Sequence, residues 1–231
     1  MKGEKALFFD TGPVISLVMS RLVWILPHLK KQYGGHFYIT PAVKLELVDR
    51  PISVKRFEFE ALQVMKLISD GTLEVYEKVP KSNSSQLINL ANNTFSINGK
   101  TIDVIQEGEI ESVSCALNVG ADAVVMDERT LRLFIENGSE LKSLLERRFN
   151  SEVLADTDKI KAFGQALKGI IIIRSVELVA IAFKLGILNA YIPKEKNGSE
   201  ILLDSVLWAT RYNGCSVMDS EIESIKSFLL K

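Results

Sequence analysis

The sequence predicts an α/β protein: a three-layer α/β/α sandwich around a mostly parallel sheet, with helices added at the C-terminus. Three observations predict it. Apolar runs of strand length alternate with longer stretches of helical periodicity along most of the chain. Some of these runs, ALFF at 6–9 and IIII at 170–173, contain no polar residue, as strands buried on both faces do not. And 47% of the 231 residues are hydrophobic against 25% charged, which supports one large core or two small ones.

The first strand is 6–9. A helical pattern follows over 13–31, with a break expected at Pro27. HFYIT, 36–40, reads as the second strand. Pro41 suits the first turn of a short helix, AVKLELV, which Pro51 ends. Residues 54–69 are helical up to Asp70 and Gly71, and 73–79 form the third strand. Residues 80–101 are polar and rich in Asn and Ser, so a loop holding a short helix is expected there. A helix at 107–119 ends at Gly120. A strand at 123–126, a helix at 128–136 and a helix at 139–149 follow, then a fifth strand at 170–173 and a helix at 175–185. Asn197 and Gly198 read as a linker to two helices, 200–212 and 219–230. The expected division is a domain over 1–195 and a helical extension over 196–231. The apolar stripe of that extension includes Leu202, Val206 and Ala209, and packs on the core or at a dimer contact.

Charge and cysteine usage narrow the partners. The formal net charge is −1, so no chain-wide basic field exists for nucleic acid, and any such contact must be local. The run 169–188 is apolar enough to suggest a membrane span, but a spanning helix strongly disfavours Arg174, Glu177 and Lys184 near its centre, so it reads as a buried strand followed by a core helix. No signal-peptide pattern follows the apolar N-terminal residues. Cys115 sits among apolar helical neighbours as a small core residue, and Cys215 lies far from it in sequence. A reducing, cytoplasmic location without membrane contact is the expectation.

Four acids stand out by position. Asp10 follows the first strand and Asp127 follows the strand AVVM, and function in open α/β sheets gathers at strand carboxyl ends. Glu46 falls within the apolar stripe of its short helix. In the helix starting at 107, Glu109 lies about 50° from the centre of the apolar stripe and Glu111 about 150° away, so Glu109 is expected inward and Glu111 outward. Each has an ordinary explanation alone: Asp10 and Asp127 as helix caps, Glu109 as a first-turn acid, Glu46 as a surface residue. Together, inward-facing carboxylates repel and are costly to bury. A hard divalent cation, Mg²⁺ or Mn²⁺, resolves that cost, and such sites suit in-line displacement at phosphorus.

Four segments in order resemble the PIN-domain nucleases: LFFDTGPVISL, ITPAVKLELVDRP, GEIESVSCALNVGADAVVMDERTLR and GIIIIRSVELVAIAFKLGIL, together spanning about residues 4–190. The resemblance implies a PIN-like fold in which Asp10, Glu46, Glu109 and Asp127 surround one or two Mg²⁺ or Mn²⁺ ions. It implies Thr11 as a hydroxyl holding the metal water or Asp10, and Glu128 as an outer acid. Arg132 would neutralise the cluster, touch a phosphate or make a helix-surface salt bridge. The activity implied is endoribonuclease cleavage of single-stranded RNA, in a toxin of a toxin–antitoxin pair, with an antitoxin-like protein partner, or in RNA processing; a homodimer is common in the family. Three features depart from the pattern. The third acid is Glu109 where toxin-type members have Asp, Val125 replaces a Thr, and residues 195–231 extend beyond the usual domain.

The remaining readings are few. Asp10-Thr11-Gly12 spells the aspartic-protease triplet, but one copy amid helical segments does not make that mainly β fold. A haloacid-dehalogenase phosphatase would want an acid where Gly12 stands. The serious rival is a PIN-like scaffold, weakly active or inactive, that binds protein or RNA. Candidate RNA contacts are Lys44, Arg50, Lys55 and Arg56, near Glu46 in sequence, with Arg147 and Arg148 as a second pair; any one of them alone is more often a solvated helix residue. No aromatic run reads as a base-stacking platform.

Overall fold

In the computed structural model, which describes residues 3–231, the run Ala6–Phe9 (β1) is the middle strand of a five-stranded parallel sheet. Every side chain of β1 is buried, because helices cover both faces. On one side β1 pairs with His36–Ile39 (β2), which pairs with Glu74–Val75 (β3). On the other it pairs with Ala123–Val125 (β6), which pairs with Ile172–Ile173 (β8). Phe8 sits opposite Tyr38 on one neighbour and Val124 on the other. The chain fills one half of the sheet, returns, and fills the other. The gap between β1 and β6 is therefore the topological switch point, where open α/β sheets hold their ligands.

Alternation along β1 divides the core. Leu7 and Phe9 face a layer built from Thr11–Met19 (α1), Ile25–Tyr33 (α2), Glu58–Ser69 (α4) and Ser175–Lys184 (α10). Phe8 faces Lys81–Asn92 (α5), Glu107–Val119 (α6), Arg129–Glu136 (α7), Gly138–Phe149 (α8) and Thr157–Ala166 (α9). This is the expected three-layer sandwich. A third apolar cluster joins α10 to Gly198–Tyr212 (α11) and Asp219–Leu229 (α12). The C-terminal helices thus pack on the core. Run 169–188 is a strand and a ten-residue helix, and no helix among the described residues is long and apolar enough to cross a membrane.

Several elements differ from expectation for local reasons. The first helix breaks at Ser20–Trp24, where Arg21 takes a positive φ of 59°, and not at Pro27. Pro27 lies in the first turn of α2, where its missing amide would have no helical acceptor anyway. The segment AVKLELV is not one α-helix. Pro41–Lys44 (α3) passes into a π-helical turn over Leu45–Asp49, closed by a 2.9 Å bond from the Arg50 amide to the Leu45 carbonyl. Residues 80–101 hold a full helix, α5, and the strands Phe95–Ile97 (β4) and Lys100–Thr101 (β5). These form a separate antiparallel sheet with Leu154–Ala155 (β7). The strands β4, β5 and β7 are two or three residues long, too short for periodicity to register. Helix α9 was not expected either; its polar face dominates the sequence and Phe163 is its fully buried anchor. Gly198 begins α11 instead of linking to it, because its Cα packs on the Pro193 carbonyl and leaves no room for a Cβ.

Candidate functional site

The crevice at the β1–β6 switch point receives acids from four segments. Asp10 leaves β1 at the N-cap position of α1, without a side-chain cap bond, and its amide donates to the Val125 carbonyl at 2.9 Å, so it is fastened to both central strands. Asp127 leaves β6. The first turn of α1 passes tightly over both: a Cβ at Gly12 would lie 3.5 Å from Asp127 Cβ and 3.8 Å from Asp10 Oδ2. Glu46 reaches in from the π-helical turn, and Thr11 Oγ1 donates to its Oε2 at 2.7 Å. Glu109 comes from the first turn of α6, where Oε2 accepts the Gln106 amide at 3.0 Å. A Cβ at Gly108 would lie 3.6 Å from Glu46 Oε1, so α6 and the π-turn meet there.

The electrostatics set two of these acids apart. Burial pushes Asp10 up from 3.8 to about 6, the amides of Thr11 and Gly12 pull the other way, and the charges of Glu46 and Asp127 add to the rise. Burial likewise raises Glu109 from 4.5 to about 8, opposed by the Gln106 amide and reinforced by Glu128, Asp10 and Glu46. The carboxylates are close enough to disfavour one another's charge, and no cationic side chain among the described residues offsets Asp10 or Glu109. Among the described residues, however, no three His, Cys, Asp or Glu side chains close into a metal-ligating group.

Asp127 is in a different condition. It is only 3% exposed. Its Oδ2 accepts the hydroxyls of Ser16 at 2.6 Å and Ser175 at 2.7 Å, and its Oδ1 accepts the Ser175 amide at 2.7 Å. The C-terminal chain closes over it: the Ser216 amide donates to the Asp127 carbonyl at 3.3 Å, and Cys215 lies alongside. Burial pushes the Cys215 thiol up to about 12, beside the Asp127 charge, so it is no nucleophile. The segment is held down from outside by buried Arg174, which donates to the Ser216 carbonyl at 3.1 Å and pairs with Glu177 and, at 2.9 Å, Glu221.

The other expected residues divide. Thr11 binds Glu46, not Asp10. Glu128 caps α7, accepting the Leu131 amide at 3.0 Å and the Thr130 hydroxyl at 2.6 Å, while its charge still reaches Glu109. Arg132 is turned to the C-terminal helix, 3.7 Å from Glu221. Glu111, expected outward, is half-buried and accepts the Ala42 amide at 3.2 Å, because α3 starts directly against that turn of α6. Lys44 pairs with Asp49 at 2.8 Å, Lys55 with Glu58 at 2.9 Å, and Arg56 lies over the Phe57 ring. Of that group, Arg50 alone lines the cavity of about 590 Å³ that opens beside Glu46; Lys81, Glu77 and Glu107 line it as well. Arg147 and Arg148 lie on α8, Arg147 bonding to the Ser143 carbonyl and Arg148 over Phe149.

Sequence reasoning missed Ser16, Ser175, Lys81, and the Arg174–Glu221 pair. Ser16 carried a signal: it is a lone hydroxyl inside the apolar helix PVISLVM, where a buried polar atom needs a partner. The donor set of the crevice, carboxylates and one hydroxyl, is that of a hard divalent cation. Asp10, Glu46 and Glu109 supply oxygens of the type such an ion takes, and a cation would relieve the cost of ionising the raised Asp10 and Glu109; the Asp127 oxygens already accept three hydrogen bonds from Ser16 and Ser175. No protein-family model matches the chain, and no curated protein matches it.

Proposed function

We propose that the protein is a metal-dependent endoribonuclease that hydrolyses phosphodiester bonds of single-stranded RNA at the β1–β6 crevice. The observation that carries this reading is the burial of Asp10 and Glu109, from segments far apart in sequence, near each other and near Glu46 at the carboxyl ends of the central strands, which raises both carboxyls above their usual range. A Mg²⁺ or Mn²⁺ ion there would supply Lewis acidity for hydrolysis at phosphorus. Asp10, Glu46 and Glu109 would hold it, while Asp127, bonded to Ser16 and Ser175, keeps the end of β6 in place. Thr11 orients Glu46 through its hydroxyl. Arg50 and Lys81, on the adjoining cavity, meet the phosphates of the strand as it leaves the crevice. The resemblance to PIN-domain nucleases supports the same chemistry, and a toxin role with an antitoxin-like partner belongs to that resemblance alone.

The second reading is a PIN-like scaffold that binds protein or RNA without cleaving. It is favoured by the sealing of Asp127 under Cys215 and Ser216 and by the absence, among the described residues, of a closed three-carboxylate group.

One pair of measurements decides. Millimolar Mn²⁺ is expected to raise the melting temperature and to support cleavage of an end-labelled single-stranded RNA, with both effects lost in Asp10→Asn. A melting temperature indifferent to Mn²⁺ and Mg²⁺, together with intact RNA, leaves the scaffold reading standing and removes the nuclease.

A further inference from the structure

Helix α6 carries a hydroxyl that the fold leaves unanswered. Ser114 is 1% exposed, and its Oγ has no hydrogen-bond partner among the described residues. The ordinary remedy inside a helix is a bond back to the carbonyl four residues earlier. Ser85 on α5 makes that bond to the Lys81 carbonyl at 2.9 Å, and buried Thr210 on α11 makes it to the Val206 carbonyl at 2.7 Å. Ser114 does not. A buried polar group without a partner costs free energy until a ligand or a water completes it.

Ser114 lines a cavity of about 270 Å³ between α5, α6 and the end of α9. Asn83, Gln86, Leu87 and Leu90 follow at helical spacing on one stripe of α5, and Ser114 and Leu117 share one stripe of α6. The three leucines give the cavity apolar walls. Two amides and the hydroxyl are its polar groups, and none of the described residues that line it is charged. An ion would lose its hydration here without a partner, so the lining fits an uncharged molecule with apolar faces and an edge of donors and acceptors. The volume lies just below the roughly 300 Å³ at which pockets for drug-sized ligands begin, which limits the occupant to about two fused rings. A purine answers each requirement. An Asn or Gln amide pairs bidentately with the exocyclic amine of adenine and the ring nitrogen beside it. A Ser hydroxyl, donor and acceptor at once, meets another ring nitrogen.

We propose that this cavity binds a purine base, adenine in particular, held between α5 and α6 with its edge on the Asn83 and Gln86 amides and a ring nitrogen on the Ser114 hydroxyl. The site is separate from the carboxylate crevice, since Ser114 is five residues from Glu109 and about 140° around α6 from it. It does not depend on the nuclease reading.

Titration calorimetry of the full chain with free adenine is expected to show one site with a dissociation constant below about 100 µM, within reach of a ligand of that size. Ser114→Ala weakens binding about 10-fold and raises the melting temperature of the unliganded protein, because it removes the orphaned hydroxyl. Gln86→Leu, at an exposed position, weakens adenine by about the same factor. Ala166→Trp, exposed at the end of α9, fills the mouth of the cavity and abolishes binding. Indole has the same fused-ring shape with a single N–H, and binds at least about 10-fold more weakly than adenine. No saturable binding of millimolar adenine overturns the proposal. So does binding that survives Ser114→Ala and Ala166→Trp, or indole held as tightly as adenine. A lower melting temperature in Ser114→Ala overturns it as well, since the hydroxyl would then be satisfied within the protein.

Discussion

Asp10 and Asp127 occupy equivalent places, each one or two residues past the end of a central parallel strand, yet they are opposite in energetic condition. Asp10 accepts only weak help from the first amides of α1, and burial beside Glu46 and Asp127 holds its pKa near 6. Asp127 is met by two hydroxyls and an amide, all within 2.7 Å. The first carboxylate is charge waiting for a counter-ion; the second is a fastening. The difference lies in what arrives on each side: α1 and α6 bring helix termini and more acid to Asp10, whereas α10 and the C-terminal segment bring donors to Asp127. A strand-end acid in a parallel sheet is therefore a place where charge is tolerated, and its neighbours decide whether it binds a ligand or the protein itself.

The largest effect that can break this comparison is at Asp127. Asp127→Ala strands the Ser16 and Ser175 hydroxyls and the Ser175 amide in a dry site. It is expected to cost about 3–5 kcal/mol in urea unfolding, since hydrogen bonds to a charged group are worth about 1.5–3 kcal/mol each and orphaned donors add their desolvation cost. A loss below about 1 kcal/mol would show that Asp127 is not the fastening described.

How much of this was legible beforehand follows from length scale. Residues 107–119 were assigned as a helix to the residue, because thirteen positions carry a clear period and Gly120 stops it in the left-handed region, at φ 64°. The inward turn of Glu109 came from the same period. Glu111 was misjudged because a helical wheel knows only its own helix, and α3 begins where no wheel could place it. The sheet formed by β4, β5 and β7 escaped because strands of two and three residues, far apart in sequence, have no internal period. The clamp on Asp127 escaped for a related reason: Ser16, Ser175 and Ser216 are separated by most of the chain, and only the fold brings the first two to its carboxylate and the third to its backbone carbonyl.

A smaller effect tests the outer fastening. Glu221 joins Arg174, at 2.9 Å, and Arg132, at 3.7 Å, and so holds α12 and the Ser216 segment over Asp127. Arg174 is buried and keeps Glu177 and the Ser216 carbonyl as partners without it. Glu221→Gln retains the shape and removes the charge. A loss of about 1–2 kcal/mol is expected, between the values for exposed and for buried ion pairs, along with faster amide exchange at 215–218. If exchange there is unchanged while stability falls, Glu221 supports α12 alone and the clamp on Asp127 stands without it.

The smallest effect has the opposite sign and is the sharpest test of the Asp10 side. The folded protein holds Asp10 near 6 and Glu109 near 8, above their ordinary values of 3.8 and 4.5. Between those limits the folded state binds more protons than the unfolded one, so stability falls as pH rises. Glu74, lowered by Lys30 and His36, and Glu221, lowered by the Met218 amide and then Arg174, titrate below 4.5 and act in the opposite sense only there. Above about pH 5 the slope therefore belongs to Asp10 and Glu109. In EDTA, the urea midpoint of the wild type should drop from pH 5 to pH 8. Asp10→Asn, which keeps a cap-competent side chain on α1, should flatten the lower part of that drop, and Glu109→Gln the upper part. At pH 8 Asp10→Asn should equal or exceed the wild type in stability, by at most about 1 kcal/mol, and saturating Mn²⁺ should reverse the order by stabilising the wild type alone. A wild-type midpoint that rises between pH 5 and pH 8 in EDTA would mean that the crevice carboxylates are compensated within the protein, and Asp10 would then be a fastening like Asp127.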